Sequence, residues 1–375
     1  MPPINTNQPR VMHVVPTLHS CGGAEQLVYR MVRSMISEQL SPIVCCIHSL
    51  GDLGLQLQKE GVKVYCRQQR STLDIGLILW MSHILRDENI QVVHAHMYAA
   101  FICSVPAAFI SGRTKVVYTV HGRLFPEKRM WKRRIINPLW SFGVDQFVSI
   151  SEKTKEAMAY YDFHPEKRIR VIHNGIHLGT TIDGSDIQTM RAALGLDENS
   201  AILGTAARLE EIKNIPMMLR AVRKVLEVIP DLYLLIAGDG SKTQDLEIYA
   251  EELGISQHVK FLGLRNDLER IYPLFGVFLL SSFTEGISVS LLEAMSYGIP
   301  AVVTDVGGNS EVVIEGETGY LVPSDNDALM ADRILKLLRN KEQAFRFGAN
   351  TQDRVLKHFS FEGMMDEYMG IYRSF

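Results

Sequence analysis

Residues 277–304 read VFLLSSFTEGISVSLLEAMSYGIPAVVT and contain a strand, a helix and a second strand in succession. The apolar run VFLLSS at 277–282 is typical of a buried strand, and the loop after it turns on Gly286. A helix is predicted from about Ser288 to Tyr297, and the run PAVVT then returns as a strand. Strands that alternate with helices in this way are typical of parallel α/β sheets.

The same alternation runs along the whole chain and predicts an α/β fold. A length of 375 residues exceeds what one hydrophobic core usually organises, so two domains are expected. The Gly-, Asn- and Thr-containing segment at 173–186 marks the linker between two doubly wound domains. Strands are predicted at 11–16, 42–48, 62–66, 92–96, 115–120, 145–150 and 169–172 in the first half, and at 201–207, 232–238, 259–263, 277–282, 300–304 and 319–322 in the second.

The composition argues against membrane-spanning, secreted and zinc-binding classes. The longest apolar run, residues 99–110, is shorter than the ~18 residues that span a bilayer. The N-terminal residues lack the pattern of a signal peptide, so a cytoplasmic protein is expected. Five cysteines without a CxxC spacing indicate reduced thiols rather than disulfides or a zinc site.

Charge is distributed unevenly between the two halves. Residues 1–170 carry 21 Lys and Arg against 13 Asp and Glu, whereas residues 171–375 carry 18 against 29. Such asymmetry indicates an anionic surface or ligand for the basic half, although charge imbalance on solvated faces is an alternative.

The segment RLFPEKRMWKRRIINPLW at 123–140 concentrates this basic charge. It sets cations among aromatic and aliphatic residues and is predicted to dock on an anionic membrane surface. The alternative is a solvated basic face whose tryptophans pack inward, with Pro138 interrupting the helical pattern. Nucleic acid is not expected as a partner, because the acidic second half would repel it. The residues of this surface are Arg123, Phe125, Lys128, Arg129, Trp131, Lys132, Arg133, Arg134, Leu139 and Trp140.

Two loops of the first half are candidates for ligand binding, because ligands of open α/β sheets bind beyond the carboxyl ends of the strands. Gly22 and Gly23 precede a helix and would let backbone amides approach a phosphate, or they form only a tight turn. His121 ends a strand and can exchange hydrogen bonds near neutral pH, although such a histidine is more often structural. His94 and His96 share one face of a strand, but no third ligand follows at a metal-like spacing, so no metal site is predicted.

Two loops of the second half carry charged residues. Arg208 and Lys213 follow the strand 201–207 and suit a diphosphate, unless they form local ion pairs with Glu210 and Glu211.

The second of these loops is the opening stretch itself. Glu285 lies in the loop before the helix, and Glu293 lies in the helix. The amides of Ile287, Ser288 and Val289 between them are predicted to meet an anion. In the competing interpretation Ser290 and Glu293 form only a capping box.

Residues 285–302, EGISVSLLEAMSYGIPAV, resemble the signature of the family 4 retaining glycosyltransferases, in which seven residues separate two glutamates. The resemblance covers nearly the whole chain. Its other motifs are GGAE at 22–25, HG at 121–122, VSISE at 148–152, HNGI at 173–176, R-x-x-x-x-K-N at 208–214, LLIAGDG at 234–240, VKFLG at 259–263, and GGNSEVV through GYLV at 307–322.

The resemblance implies the GT-B architecture, in which two Rossmann-like domains face a central cleft. Residues 1–172 with 359–375 would form the N-terminal, acceptor-side domain, and residues 173–358 the nucleotide-sugar-binding domain.

The resemblance also implies residue roles. Arg208 and Lys213 would hold the donor diphosphate and stabilise it as it leaves. Glu285 would lie beside the reacting face of the donor sugar, and His121 would contact that sugar. These four residues are therefore the predicted catalytic set. Donor binding is assigned to Gly22, Gly23, Ile287, Ser288, Val289 and Glu293, the last through the ribose hydroxyls.

The chain is thus predicted to be a retaining glycosyltransferase that uses a UDP- or GDP-sugar and needs no metal or other cofactor. Its acceptor would be a glycan or lipid-linked molecule of polysaccharide, lipopolysaccharide or glycolipid biosynthesis, reached at the inner face of the plasma membrane. The alternatives are a sugar phosphorylase or nucleotide-sugar epimerase on the same fold, and a non-catalytic nucleotide-sugar-binding protein. The presence of Arg208, Lys213, Glu285 and Glu293 argues against the last, because a degenerate site would be expected to lose some of them.

Overall fold

The structure is a computed structural model that describes residues 9–20, 22–112, 114–122, 129–179 and 183–375. The chain divides into two compact units, Met1–Asn174 with Met364–Phe375, and Gly175–Gly363.

The observed division lies two residues beyond the expected bound at 172 and five beyond the one at 358. Residues 359–361 remain with the second unit because the backbone of Ile176 bonds to them on both sides. Its amide donates to the Phe359 carbonyl at 2.9 Å, and its carbonyl accepts from the Phe361 amide at 3.0 Å.

In the first unit, seven described strands form one parallel sheet in the order β3-β2-β1-β4-β5-β6-β7. The strands are β1 (Val11–Val15), β2 (Ile43–Cys46), β3 (Lys63–Cys66), β4 (Val92–His96), β5 (Lys115–Val120), β6 (Gln146–Ser149) and β7 (Ile169–Val171). The helices are α1 (Gly23–Ser37), α2 (Gly51–Lys59), α3 (Ile75–Asp87), α4 (Met97–Ser111), α5 (Trp131–Ser141), α6 (Glu152–Asp162) and, from the chain end, α15 (Phe361–Arg373), whose residues 361–363 still belong to the second unit.

In the second unit, six described strands form a parallel sheet in the order β10-β9-β8-β11-β12-β13. The strands are β8 (Ala201–Ala206), β9 (Leu232–Ala237), β10 (Val259–Gly263), β11 (Val277–Leu280), β12 (Ala301–Thr304) and β13 (Gly319–Val322). The helices are α7 (Gly184–Ala193), α8 (Ile215–Leu226), α9 (Thr243–Glu252), α10 (Leu268–Ile271), α11 (Val289–Ser296), α12 (Asn309–Val312), α13 (Asp327–Arg339) and α14 (Lys341–His358).

The two sheets confirm the predicted α/β fold with two doubly wound domains. Each predicted strand overlaps an observed one, because helices cover both faces of a parallel sheet and its central strands are therefore largely apolar. The edge strand β3 differs, since Lys63 and Cys66 are exposed. The β1 residues and the β11 residues are all buried. None of the helices within the described ranges is both long and apolar enough to span a bilayer.

The strand order of each sheet places its ligand-binding edge. In the first sheet the order reverses between β1 and β4, and in the second between β8 and β11. At such a switch point the loops on the carboxyl ends of two adjacent strands turn away to opposite faces and leave a crevice. A ligand is therefore expected to bind at the loops that follow these strands.

Candidate functional site

The loops after β8 and β11 are bonded to each other at the switch point of the second sheet. The amide of Phe283 donates to the Ile212 carbonyl at 2.9 Å, and the Ser281 hydroxyl donates to the Lys213 carbonyl at 2.9 Å. These two bonds fix the short 3₁₀ turn Glu211–Lys213 against the start of the loop after β11, which contains Glu285.

Lys213 and Glu285 form an ion pair in this crevice, with 2.5 Å between Nζ and Oε1. Their side chains are only 17% and 9% exposed, and the Ser282 hydroxyl donates to the same Oε1 at 2.6 Å. A buried pair of this kind needs both partners, because removing one leaves a desolvated charge uncompensated. The ammonium group carries three donors, so it can hold Glu285 and still offer hydrogen bonds to an anion.

The Glu285 loop keeps its position through a close backbone approach to the loop after β12. Gly307 has a φ of +53°, and a Cβ at this position would collide with the carbonyl oxygen of Glu285. The amide of Gly308 donates to the Gly286 carbonyl at 2.8 Å. Sequence reasoning assigned no role to Gly307, although the double glycine after a predicted strand was the available signal.

Arg208 lies on the loop after β8 with its side chain exposed. The local ion pair that competed with phosphate binding is not formed, since Glu210 accepts instead from the Ser241 hydroxyl at 2.8 Å and from its amide at 3.2 Å. These hydrogen bonds lower the pKa of Glu210, with a smaller contribution from the charge of Arg208. Across the described ranges, Arg208 has no carboxylate within ion-pair distance, which leaves its guanidinium available to a ligand.

Helix α11 begins beside Glu285 and presents its first amides. Ser288 is the N-cap, and its hydroxyl accepts from the Leu291 amide at 3.4 Å. The amides of Ser288 and Val289 have no hydrogen-bond partner in the described part of the chain, as expected of a helix start. Ile287, the third residue predicted here, is buried. The first turn thus retains backbone donors for an anion.

Glu293 lies in the second turn of α11, five residues after the N-cap Ser288. Because Ser288 rather than Ser290 is the N-cap, the capping-box interpretation is wrong. Oε2 of Glu293 instead accepts from the hydroxyl of Tyr272 at 2.9 Å, and that ring stacks on Tyr297 at 5.7 Å between centroids. Burial raises the pKa of Tyr297, and the charges of Glu269 and Glu293 add to the effect. Neither tyrosine was predicted from the sequence.

Gly22 and Gly23 lie at the start of α1, at the switch point of the first sheet. Gly22 is the N-cap with an extended backbone, and no side chain caps the helix. A Cβ on Gly22 would collide with the carboxylate of Glu25, so this acidic side chain folds over the helix start. A phosphate that binds here must therefore displace Glu25. Cys21, which precedes these glycines, lies outside the described residues.

Four histidines cluster at the same end of the first sheet. His13 of β1 and His94 of β4 are direct cross-strand partners. One ring nitrogen from each of His13, His94 and His96 lies within 4.8 Å of the other two, so three candidate metal ligands do meet here. Spacing along the chain did not reveal His13 as a third candidate ligand, because only the pairing of β1 with β4 brings it to His94.

The same nitrogens already have hydrogen-bond partners. Nδ1 of His94 lies 2.6 Å from the hydroxyl of Tyr372, and its Nε2 lies 2.7 Å from the hydroxyl of Thr119. His96 lies between His13 and His121, at 3.0 and 2.8 Å. In the described ranges no carboxylate or thiol joins the three-histidine group. Bound metal would have to replace these hydrogen bonds, and the absence of a metal cofactor stays a prediction.

Part of the predicted basic surface points inward. The side chain of Arg133 is paired with Asp162 at 2.6 Å and lies over the ring of Tyr98 at 4.3 Å. The indole of Trp140 donates to the Ile102 carbonyl at 3.0 Å. Arg133 and Trp140 are therefore held against the fold and are only partly exposed. Residues 123–128, with Arg123, Phe125 and Lys128, lie outside the described residues.

The outward face of α5 is nevertheless apolar and basic. The helix continues through Pro138, contrary to the expected interruption. Its exposed apolar residues recur about every fourth position and form a single stripe with Phe142, and Lys132 and Arg134 are exposed beside it. Trp131, the largest member, is 69% exposed. The stripe consists of Trp131, Ile135, Leu139 and Phe142.

Two family models match the chain in succession. Residues 21–179 match Glycosyltransferase Family 4, and residues 186–354 match Glycosyl transferases group 1. The EpsD protein of Bacillus subtilis strain 168, whose own assignment as a glycosyltransferase is provisional, is 30% identical over 76% of this chain and 77% of its own. The UDP-Gal:alpha-D-GlcNAc-diphosphoundecaprenol alpha-1,3-galactosyltransferase of Escherichia coli is 26% identical over 83% of this chain and 82% of its own.

The fold is also that of solved glycosyltransferase structures. The Anabaena protein Alr3699/HepE, crystallised with UDP and glucose, superimposes with a TM-score of 0.86 over 98% of this chain and 100% of its own. The sequence identity is 20%, so the likeness concerns the fold. It supports the GT-B architecture for the two units described above.

Proposed function

The chain belongs to glycosyltransferase family 4, and from this membership we propose that it transfers a sugar from a nucleotide-sugar donor to a glycan or lipid-linked acceptor with retention of configuration. The observation that carries the proposal is the buried Lys213–Glu285 pair at the β8/β11 switch point, beside the start of α11. A cation, an acid and backbone donors thus converge where an open α/β sheet binds its ligand.

The leaving group sets the main electrostatic demand of the reaction. As the bond between the anomeric carbon and the diphosphate breaks, negative charge accumulates on the departing oxygen. Lys213 and the exposed Arg208 supply positive charge, and the amides of Ser288 and Val289 supply hydrogen bonds. Groups fixed before the reaction stabilise such charge without reorganisation, and each is typically worth ~10² to 10³ in rate. These groups act without a metal in the proposed mechanism.

The acids bind the two ends of the donor. The hydroxyl of Tyr272 orients the carboxylate of Glu293 in α11, and this carboxylate accepts hydrogen bonds from the ribose hydroxyls. Glu285, fixed by Lys213 and Ser282, accepts hydroxyls of the transferred sugar with its other oxygen, Oε2. Retention follows if the acceptor attacks the face that the diphosphate leaves, and no protein nucleophile is invoked.

The names of similar proteins favour one class of donor and one class of acceptor. HepE was crystallised with UDP, and the Escherichia coli relative is named for UDP-Gal and a diphosphoundecaprenol acceptor. We therefore favour a UDP-sugar and a polyprenyl-diphosphate-linked acceptor. A stripe of exposed apolar residues beside Lys132 and Arg134 suits a peripheral place on an anionic membrane, where such an acceptor is found.

The experiment that tests this function supplies radiolabelled UDP-sugars, GDP-sugars and ADP-sugars to the purified protein with bacterial lipid extract. We expect label to enter the lipid fraction from one donor, with release of the matching nucleoside diphosphate. In a parallel incubation with a glycan and inorganic phosphate, formation of sugar 1-phosphate and a shortened glycan would identify a phosphorylase instead. An isomeric nucleotide sugar formed without acceptor would identify an epimerase. Donor binding without any conversion would favour the non-catalytic alternative.

A further inference from the structure

Three histidines of the first unit form a continuous hydrogen-bonded series, which we call the histidine chain: His13, His96 and His121. Nε2 of His96 lies 3.0 Å from Nδ1 of His13, and Nδ1 of His96 lies 2.8 Å from Nε2 of His121. The successive rings are stacked, with centroids 5.3 and 5.1 Å apart. Both nitrogens of the central histidine are therefore used inside the chain.

Each member of the chain is buried and neutral at physiological pH. Burial lowers the pKa of His13 to about 3 and that of His121 to about 4, and it lowers the pKa of His96 well below its ordinary value. A neutral imidazole has one N–H donor and one acceptor nitrogen. The histidine chain therefore has only two possible arrangements of protons, with all three on Nε2 or all three on Nδ1.

The contact of His13 with Met35, at one end of the histidine chain, decides between these two arrangements. Nε2 of His13 lies 3.3 Å from the sulfur of Met35. A thioether can accept a hydrogen bond but cannot donate one, so Nε2 of His13 carries the proton. Nδ1 of His13 must then accept from His96, and His96 must accept from Nε2 of His121. The opposite arrangement would set a nitrogen lone pair against the lone pairs of the sulfur.

The second end of the chain is consequently an unused acceptor. Nδ1 of His121 is buried and has no hydrogen-bond partner within the described residues. With the proton of His121 on Nε2, this atom presents a lone pair. A buried polar atom without a partner is costly, and a donor that fills the position recovers the loss.

We propose that Met35, His13 and His96 hold His121 in the Nε2–H tautomer, so that its Nδ1 accepts a hydrogen bond from a hydroxyl of the sugar ligand. Met35, His13 and His96 are positioning residues in this scheme, and only the identity of the ligand rests on the proposed function. A neutral acceptor nitrogen repels a phosphate oxygen, so His121 selects a hydroxyl and does not bind the diphosphate.

The hydrogen bonds of the histidine chain leave no ligand atom of His96 for a metal. His96 accepts with Nδ1 and donates with Nε2, so neither of its nitrogens keeps a lone pair for coordination. His94, the remaining candidate, lies between the hydroxyls of Tyr372 and Thr119. The hydrogen bonds of the chain and a metal site are thus mutually exclusive.

Nitrogen-15 NMR of the full chain labelled at histidine tests the tautomers directly. Long-range couplings from the carbon-bound ring protons distinguish protonated from bare nitrogens, and single His→Gln variants assign the signals. We expect His13, His96 and His121 all to carry the proton on Nε2 at neutral pH. A proton on Nδ1 of His121, or a charged His121, would overturn the proposal.

Met35→Leu removes the sulfur that accepts from His13, with little change in side-chain volume. Met31→Leu is the matched control, because Met31 lies on the same buried face of α1. Removing the sulfur should let part of the His121 population move its proton to Nδ1 and lower kcat/KM for the sugar donor about 3- to 10-fold, the worth of one neutral hydrogen bond. A Met35→Leu protein with the tautomer and kcat/KM of the control would contradict the inference. Correct tautomers in a protein that transfers no sugar would contradict only the proposed function.

Discussion

Replacing Lys213 or Glu285 by alanine separates a catalytic role of their ion pair from a purely structural one. Glu285 is 9% exposed, and in Lys213→Ala its carboxylate keeps only the Ser282 hydroxyl of its two bonds to Oε1. Removing one member of a buried pair typically costs ~3 to 5 kcal/mol of unfolding free energy, and removing a group that stabilises developing charge costs ~10² to 10³ in rate. Both losses are expected in each single variant.

The double variant carries the sharper expectation. With both charges gone no desolvated ion remains, so the unfolding free energy should exceed that of either single variant. Turnover should stay as low as in the singles, because the double variant lacks both the cation that meets the diphosphate and the acid that binds the transferred sugar. Urea unfolding measures the first quantity, and release of nucleoside diphosphate, assayed where every variant is folded, measures the second.

The matched control is Lys357→Ala, which removes an ion pair between consecutive turns of α14 whose lysine is 61% exposed. It should cost no more than ~0.5 kcal/mol and leave turnover unchanged. Near wild-type turnover in Lys213→Ala or Glu285→Ala, or recovery of turnover in the double variant, would show that the pair only stabilises the fold.

Three further outcomes are expected. Turnover should survive EDTA, and loss of activity that Mg²⁺ or Mn²⁺ restores would contradict the metal-independent mechanism. More of the wild-type protein should co-sediment with anionic vesicles than with neutral ones. A Lys132→Ser, Arg134→Ser variant should lose this preference, whereas the control variant Lys153→Ser, Lys155→Ser should keep it. Equal co-sedimentation of the wild type with both kinds of vesicle would refute docking. Acid should destabilise the first unit. An unfolded histidine takes up a proton below its ordinary pKa of 6.5, whereas burial lowers the folded-state pKa of His13 to about 3 and that of His121 to about 4. Each of these two histidines should therefore cost ~1.2 kcal/mol of unfolding free energy between pH 6 and pH 5, and an unfolding midpoint that is constant over this range would contradict the neutral histidine chain.

The fold was predictable because the central strands of each sheet are buried on both faces. A run such as VMHVV at Val11–Val15 is apolar apart from one histidine, and that histidine is also buried. The order of the strands within each sheet was not predictable in the same way. Strand order depends on how helices cross over the sheet, which local sequence does not encode, and it decides which distant loops meet.

The candidate site shows the same division. Lys213 and Glu285 were both singled out from the sequence, but their contact spans 72 positions and depends on β8 lying next to β11. His13 was missed for this reason, since only the pairing of β1 with β4 brings it to His94. Arg133 was assigned to a membrane surface from local pattern alone, whereas its tertiary partner Asp162 holds it inward.

The proposed function requires that a nucleotide sugar binds in the β8/β11 crevice, and thermal denaturation with UDP-, GDP- and ADP-sugars measures this binding. A ligand at ~100 times its dissociation constant adds about 2.7 kcal/mol to the stability of the folded state. We expect one nucleotide class, with UDP favoured, to raise the unfolding temperature of the wild type and of Lys357→Ala but not of Lys213→Ala. An unfolding temperature that no nucleotide sugar changes, or an equal rise in Lys213→Ala, would contradict the account.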